Sequence, residues 1–195
     1  MKICVPALAL VLIAGAAESQ VPPRVRGVIQ ALEGQTLVVA TPTEGAVRLT
    51  LTDMTGINGV ERRTMADIPN NTFVGATAVK NRAGRWQATE VHIFPEAMRG
   101  AGEGHYAWDL PESTMTNGAA TGIVAKGRSG SMSVRHPGGN VEIDVTRRTE
   151  IVALTMGNRA LLVPGATVVA LAQPVDGGTV AVAVIVETNS IKPPM

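Results

Sequence analysis

Hydrophobic and polar residues alternate over short runs along most of this chain, and helical periodicity is nearly absent after the N-terminal segment. An alternation with a period of two is typical of strands that have one buried and one exposed face. Loops rich in glycine, such as EGQ, NRAG and PGG, separate the runs and suit hairpin connections. The pattern predicts an all-β protein with ten strands, at 24–32, 36–43, 46–52, 72–80, 86–94, 120–126, 131–136, 140–146, 166–173 and 179–187.

The predicted strands of the first half recur in the second half, which indicates an internal repeat. The run Gly27-Val28-Ile29 matches Gly122-Ile123-Val124, and VGATAVK at 74–80 matches PGATVVAL at 164–171. In each half the longest gap falls between the third and fourth predicted strands. We expect one helical turn in each of these gaps, at 64–68 and at 157–162.

A flat sheet of a few short strands leaves one face and two edges uncovered, whereas a closed barrel buries one face of every strand. An OB-like barrel is five-stranded, and a glycine early in its first strand suits the sharp bend there. We therefore predict two tandem five-stranded OB-like barrels; a small sandwich is the structural alternative. The predicted units are the barrels at 24–95 and 119–188, a connector at 96–118 and a tail at 189–195.

The N-terminus has the pattern of a secretory signal peptide. Lys2 precedes an apolar run, and the small residues of AGAA follow it. The run is shorter than the roughly 20 residues that span a bilayer, although an uncleaved anchor is the alternative. We expect a signal peptide at 1–17 that is cleaved near Ala17, a periplasmic location and no membrane span after cleavage. The only cysteine, Cys4, lies in that segment, so disulfides, catalytic thiols and Cys-ligated zinc are excluded from the mature chain.

Histidine and aromatic residues are scarce except in the segment HIFPEAMRGAGEGHYAWD at 92–109. Such clustering favours a ligand or partner surface around 92–117, and packing between the two barrels is the structural alternative. We expect binding residues at Trp86, His92, Arg99, His105, Tyr106 and Trp108. A second hypothesis is a divalent-metal accessory protein of the cell envelope, because imidazoles with carboxylates suit zinc. Its ligands would be His92, Glu96, Glu103, His105 and Asp109, with Glu90 on the same strand face as His92.

Other functional classes find little support. The formal net charge is +1, and no block of Lys or Arg stands out, so we expect no nucleic-acid partner. No set of nucleophile, base and orienting residue can be named, so we predict that the protein is not an enzyme and needs no cofactor beyond the metal of the second hypothesis. The expected partner is an envelope protein, a peptide or a sugar. An exposed edge strand offers a peptide a further route, by strand addition.

The segments VGATAVKNRAGRWQATEVHIFPEAMRGAGEGHYAWD (74–109) and STMTNGAATG (113–122) are the most specific parts of a family resemblance. With them, nearly the whole mature chain resembles a family of exported proteobacterial proteins whose β-barrel repeat carries a domain-of-unknown-function label. Some members bear the name "metal ABC transporter permease", which points to metal handling. The resemblance implies a fold and a compartment, and no established activity.

Overall fold

The structure is a computed structural model that describes residues 23–108 and 110–193. The predicted signal peptide at 1–17 lies outside these residues. The described chain is all-β, as predicted, and its only helical elements are three 3₁₀ turns. The turns at Met65–Asp67 and Arg159–Leu161 confirm the two helical turns that the sequence predicts, and the third is at Glu96–Met98.

All ten predicted strands are present, although several differ at their ends. Three strands were not predicted: β4 and β11, which lie in the long gaps, and β7, which lies in the connector. The strands are β1 (Arg24–Glu33), β2 (Thr36–Thr41), β3 (Gly45–Thr50), β4 (Gly56–Arg62), β5 (Phe73–Lys80), β6 (Trp86–Ile93), β7 (Gly104–Ala107), β8 (Ser113–Lys126), β9 (Ser129–His136), β10 (Gly139–Val145), β11 (Glu150–Met156), β12 (Thr167–Val175) and β13 (Gly178–Val186).

Five strands close into a barrel that we call the polar ring, because several polar side chains are buried on its strands. Strands β6, β5, β8, β9 and β10 are antiparallel neighbours in that order, and β10 closes the ring by pairing in parallel with β6. Val74, Met132 and Ile143 belong to its buried apolar interior. Closure removes most of the free edges that short strands would otherwise expose.

A second ring, which we call the apolar ring, joins β3, β2, β1, β12 and β13 in that order. Its closing contact, between β13 and β3, consists of a single residue pair, Val180 and Thr50. Leu37, Leu49 and Val184 are fully buried in its interior. The apolar ring therefore has a separate core and a narrower closure than the polar ring.

The strand pairing does not follow the predicted tandem units at 24–95 and 119–188. The first half contributes β1, β2 and β3 to the apolar ring, but it contributes β5 and β6 to the polar ring. The second half is divided in the same way. The physical reason lies in β4 and β11, which pair with each other and with strands of the two rings, so that the chain passes from one ring to the other in each half.

The two halves are related by an approximate two-fold axis. In the antiparallel pair of β4 and β11, Val60 faces Leu154 at the centre of the register. β4 runs parallel to β13, and β11 runs parallel to β6. Thr55 donates a hydrogen bond to the carbonyl of Ala181 at 2.7 Å, and Thr149 donates one to the carbonyl of Ala88, also at 2.7 Å. These equivalent contacts define which residues of the two halves correspond.

The structural correspondence corrects the sequence alignment of the repeat. A Cβ atom on Gly27 would lie 2.0 Å from the carbonyl oxygen of Ala40, and one on Gly118 would lie 2.2 Å from that of Arg135. Gly118, and not Gly122, is therefore the counterpart of Gly27. Val168 pairs with Gly27 as Val74 pairs with Gly118, so the segment 74–80 corresponds to 168–174.

Candidate functional site

The predicted connector is part of the sheet. β7 pairs with β8 in antiparallel register, His105 opposite Thr116 and Tyr106 opposite Met115. The backbone N–H of Trp108 then donates to the carbonyl of Ser113 at 2.9 Å. Within residues 23–108 and 110–193, β7 pairs with no strand other than β8. The connector thus presents an edge strand beside the polar ring.

An open groove of about 710 Å³ lies where the connector meets the polar ring. Trp86 and Trp108, the only tryptophans in the chain, both line it. Trp86 is placed there because it begins β6, opposite Lys80. Trp108 is placed there because it directly follows β7. The remaining lining residues are Lys80, Ala107, Leu110, Pro111, Glu112, Ser113 and Thr114.

Each tryptophan of the groove is contacted by a cation. The guanidinium carbon of Arg24 lies 3.5 Å from the centre of the Trp108 ring, and Lys80 Nζ lies 5.1 Å from the centre of the Trp86 ring. Such contacts hold an indole ring in place by electrostatic attraction to its face. The Tyr106 ring packs 5.9 Å from that of Trp108. Burial raises the pKa of the Tyr106 hydroxyl, and the charge of Arg24 acts in the opposite direction.

His105 extends the aromatic lining from the groove towards β9. Its Nδ1 lies 2.8 Å from Thr116 Oγ1, its ring meets Trp86 edge-on at 5.5 Å, and it stacks on His136 at 6.2 Å. Partial burial lowers the pKa of His105, and the neighbouring His136 lowers it further. His136, the last residue of β9, therefore belongs to this surface.

His92 lies on the opposite face of the sheet from His105. Neighbouring residues of a strand point to opposite faces. His105 contacts Thr116, whereas His92 approaches the next residue of β8, Asn117, across Gly75. The structure therefore does not bring His92 and His105 together on one face of the sheet.

The charged residues of the connector also fail to converge with His92. Glu96 forms an exposed ion pair with Arg99, which lowers the pKa of Glu96 and raises that of Arg99. Arg99 also donates to the carbonyl of Asn71 at 2.9 Å, so it fastens the connector to the loop before β5. Glu103 is exposed, and Asp109 lies outside the described residues. The described part of the chain contains no group of three or more His, Cys, Asp or Glu side chains that could hold a metal.

His92 instead belongs to a set of buried polar side chains that we call the buried polar face. Glu90 and His92 on β6, Thr77 on β5 and Asn117 on β8 are each at least nine-tenths buried. His92 Nδ1 lies 3.4 Å from Glu90 Oε1. Asn117 donates to the hydroxyl of Tyr106 at 3.3 Å and to the carbonyl of Ala101 at 3.2 Å, so the connector covers this face.

The sequence reasoning missed Arg24, Asn117 and Thr77 as members of these surfaces. Arg24 and Thr77 come from strands outside the connector, and the side-chain contacts of Asn117 depend on how β8 pairs with its neighbours. The alternation that puts Glu90 and His92 on one face was visible in the sequence, and the structure confirms it.

Comparison of the chain with family models, with curated proteins and with solved structures finds no match. Among the residues that the structure describes, no helix is long and apolar enough to cross a membrane.

Proposed function

We propose that this protein is a non-enzymatic binding or scaffold protein of the periplasm, and that the groove between Trp86 and Trp108 is its ligand site. The observation that carries the proposal is that the chain's only two tryptophans line the same groove. Large aromatic side chains dominate the energetics of binding surfaces because they bury much apolar area at a low entropic cost. The proposed periplasmic location rests on the signal-like N-terminus. We also propose that the two rings are OB-like barrels.

The groove has the size and chemistry of a site for an organic ligand. Its volume of about 710 Å³ falls within the range of roughly 300–1,000 Å³ that is usual for ligand pockets. Lys80 and Glu112 supply one charge of each sign at the rim, and Leu110 is 62% exposed. An apolar floor with a few polar groups favours a ligand that has an apolar surface and several hydrogen-bonding groups.

The second edge of β7, which pairs with no described strand, favours an extended peptide segment as that ligand. A peptide that adds to β7 would gain main-chain hydrogen bonds, and every second side chain would point to one face of the sheet. Ala107 of β7 and Trp86 line the groove together, so one row of peptide side chains would lie beside the indole rings. The expected partner is therefore an extended segment of an envelope protein. A sugar that uses the indole faces alone is the competing ligand.

Intrinsic fluorescence tests the proposal directly, because both tryptophans report on the groove. We would titrate the purified protein with a library of decapeptides and with a panel of tri- and tetrasaccharides, and confirm each hit by calorimetry. We expect a saturable change with a subset of the peptides. Trp86→Ala and Trp108→Ala should each weaken binding at least about tenfold, as hot-spot residues do.

Met54→Ala is the matched control, because Met54 is an apolar residue that is 89% exposed in the turn before β4. It should leave binding unchanged. Saccharide binding without peptide binding would support the groove as a binding site, but it would contradict the proposal that its ligand is a peptide. Peptide binding that persists in both tryptophan variants would contradict the proposal that the groove is the binding site.

A further inference from the structure

The buried polar face contains polar atoms that are left without hydrogen bonds. Glu90 Oε1, His92 Nδ1, Thr77 Oγ1 and Asn117 Oδ1 are all buried and have no hydrogen-bond partner within the described part of the chain. A buried polar atom without a partner costs about 1–3 kcal/mol, and more if it is charged. Four such atoms on one face of three neighbouring strands therefore need a physical reason.

The internal repeat shows that the strand pairing does not require three of these polar residues. The register places Leu171 at the position equivalent to Thr77, and it places Ala183 and Ile185 at the positions equivalent to Glu90 and His92. Arg26 is the counterpart of Asn117, so this fourth position is polar in both rings. Thr77, Glu90 and His92 are therefore specific to one ring, and a role other than folding is expected for them.

Gly75 leaves room for Asn117 and His92 on the buried polar face. The amide nitrogen of Asn117 donates to Ala101 and to Tyr106, so its oxygen is directed towards Gly75. A Cβ atom on Gly75 would lie 2.6 Å from that oxygen and 2.1 Å from His92 Nε2. Because Gly75 has no side chain, both groups fit on this face, where His92 Nδ1 lies 3.4 Å from Glu90 Oε1.

The separation of His92 Nδ1 and Glu90 Oε1 fits a bridging ion better than a bridging proton. A charge-assisted hydrogen bond between such groups measures roughly 2.7–2.9 Å, whereas this pair is 3.4 Å apart. Two ligand atoms at about 2.05 Å from a tetrahedral zinc ion lie roughly 3.3–3.4 Å apart. Nitrogen from imidazole and oxygen from carboxylate are ligands that such an ion accepts.

We propose that Glu90 and His92 bind a divalent cation of the zinc type under the connector. Glu90 Oε1 and His92 Nδ1 form one edge of the tetrahedron. Thr77 is opposite Glu90 on β5 and offers its hydroxyl as a neutral ligand, and water completes the site. This site is separate from the groove, and neither proposal depends on the other.

The test is a metal titration of the purified protein, made without a histidine tag and freed of metal with a chelator. Co²⁺ should bind with one equivalent and give the intense visible absorption of tetrahedral coordination, and Zn²⁺ should displace it. Glu90→Gln and His92→Gln each retain much of the side-chain volume. Each should weaken Co²⁺ binding at least about 100-fold, because even the loss of outer partners costs 10–100-fold.

The control is the double variant Glu103→Gln/His105→Gln, which removes two members of the set that the sequence suggested. Co²⁺ affinity should be unchanged in this variant. Circular dichroism and the melting temperature check that every variant folds, and Glu90→Leu/His92→Ile provides an apolar version of the site. Three results would overturn the proposal: no saturable binding by the unmodified protein, full binding by folded Glu90 and His92 variants, or loss of binding in the control.

Discussion

The two rings of this protein share one strand arrangement, but only one of them carries candidate chemistry. The apolar ring has Leu171, Ala183 and Ile185 where the polar ring has Thr77, Glu90 and His92. Trp86 of the groove begins β6, and its counterpart near the start of β13 is Thr179. A duplicated fold therefore contains its own control: features found in both rings serve the fold, and features found in one ring are candidates for function.

Substitution of the two equivalent glycines should give the largest effects, and the effects should be alike. Gly27→Ala and Gly118→Ala would each place a methyl group about 2 Å from a carbonyl oxygen of the next strand. Overpacking of this kind costs about 3 kcal/mol or more when backbone must move. Chemical denaturation should show a similar decrease in the free energy of unfolding for both variants. A large loss for Gly27→Ala together with none for Gly118→Ala would contradict the structural equivalence.

The equivalent threonines should give intermediate effects, again matched between the rings. Thr55 accepts from the N–H of Thr52 and donates to Ala181, and Thr149 accepts from Thr146 and donates to Ala88. Thr55→Val and Thr149→Val each leave these backbone groups without a partner, which should cost about 1–2 kcal/mol. Denaturant midpoints measured side by side test this expectation. Costs that differ by more than about 1 kcal/mol would show that the two turns are not energetically equivalent.

His105 should give the smallest effect, and only the polar ring should show it. Its folded-state pKa lies below the ordinary value of 6.5, so the unfolded chain takes up a proton more readily. Protonation then favours unfolding, and the contribution of His105 to stability falls as the pH drops below about 6.5. The melting temperature should decrease less between pH 7.5 and pH 5 in His105→Gln than in the unmodified protein. Identical pH profiles would contradict the prediction.

The sequence predicted the positions of most strands well, but it did not predict which strands pair with each other. Alternation of apolar residues located ten strands, because it depends only on neighbours along the chain. It missed β4, whose run GINGVER has two glycines and an asparagine in place of an alternating pattern. It could not predict that β1 pairs with β12 and β5 with β8. Because the two halves repeat the same pattern, either copy of a strand satisfies it equally well.

The candidate site, like the fold, could be predicted only in part from the sequence. The clustering of Trp86, His105 and Trp108 near the connector was visible in the sequence, and the structure places these residues along one surface. The separation of His92 from His105 was not visible, because it depends on which face of β8 each one meets. Arg24, from the far end of the chain, reaches Trp108 only through the pairing between the halves.

The central claim is that the residues of the buried polar face bind a ligand and are not needed to stabilise the fold. The most direct test is the free energy of unfolding of Glu90→Leu/His92→Ile, measured by chemical denaturation in the presence of a chelator. The account predicts a stability equal to that of the unmodified protein or higher, by up to about 4 kcal/mol, as when apolar residues replace a buried charged pair. A loss of more than about 2 kcal/mol in the folded variant would show that the polar pair supports the fold, and it would contradict the account.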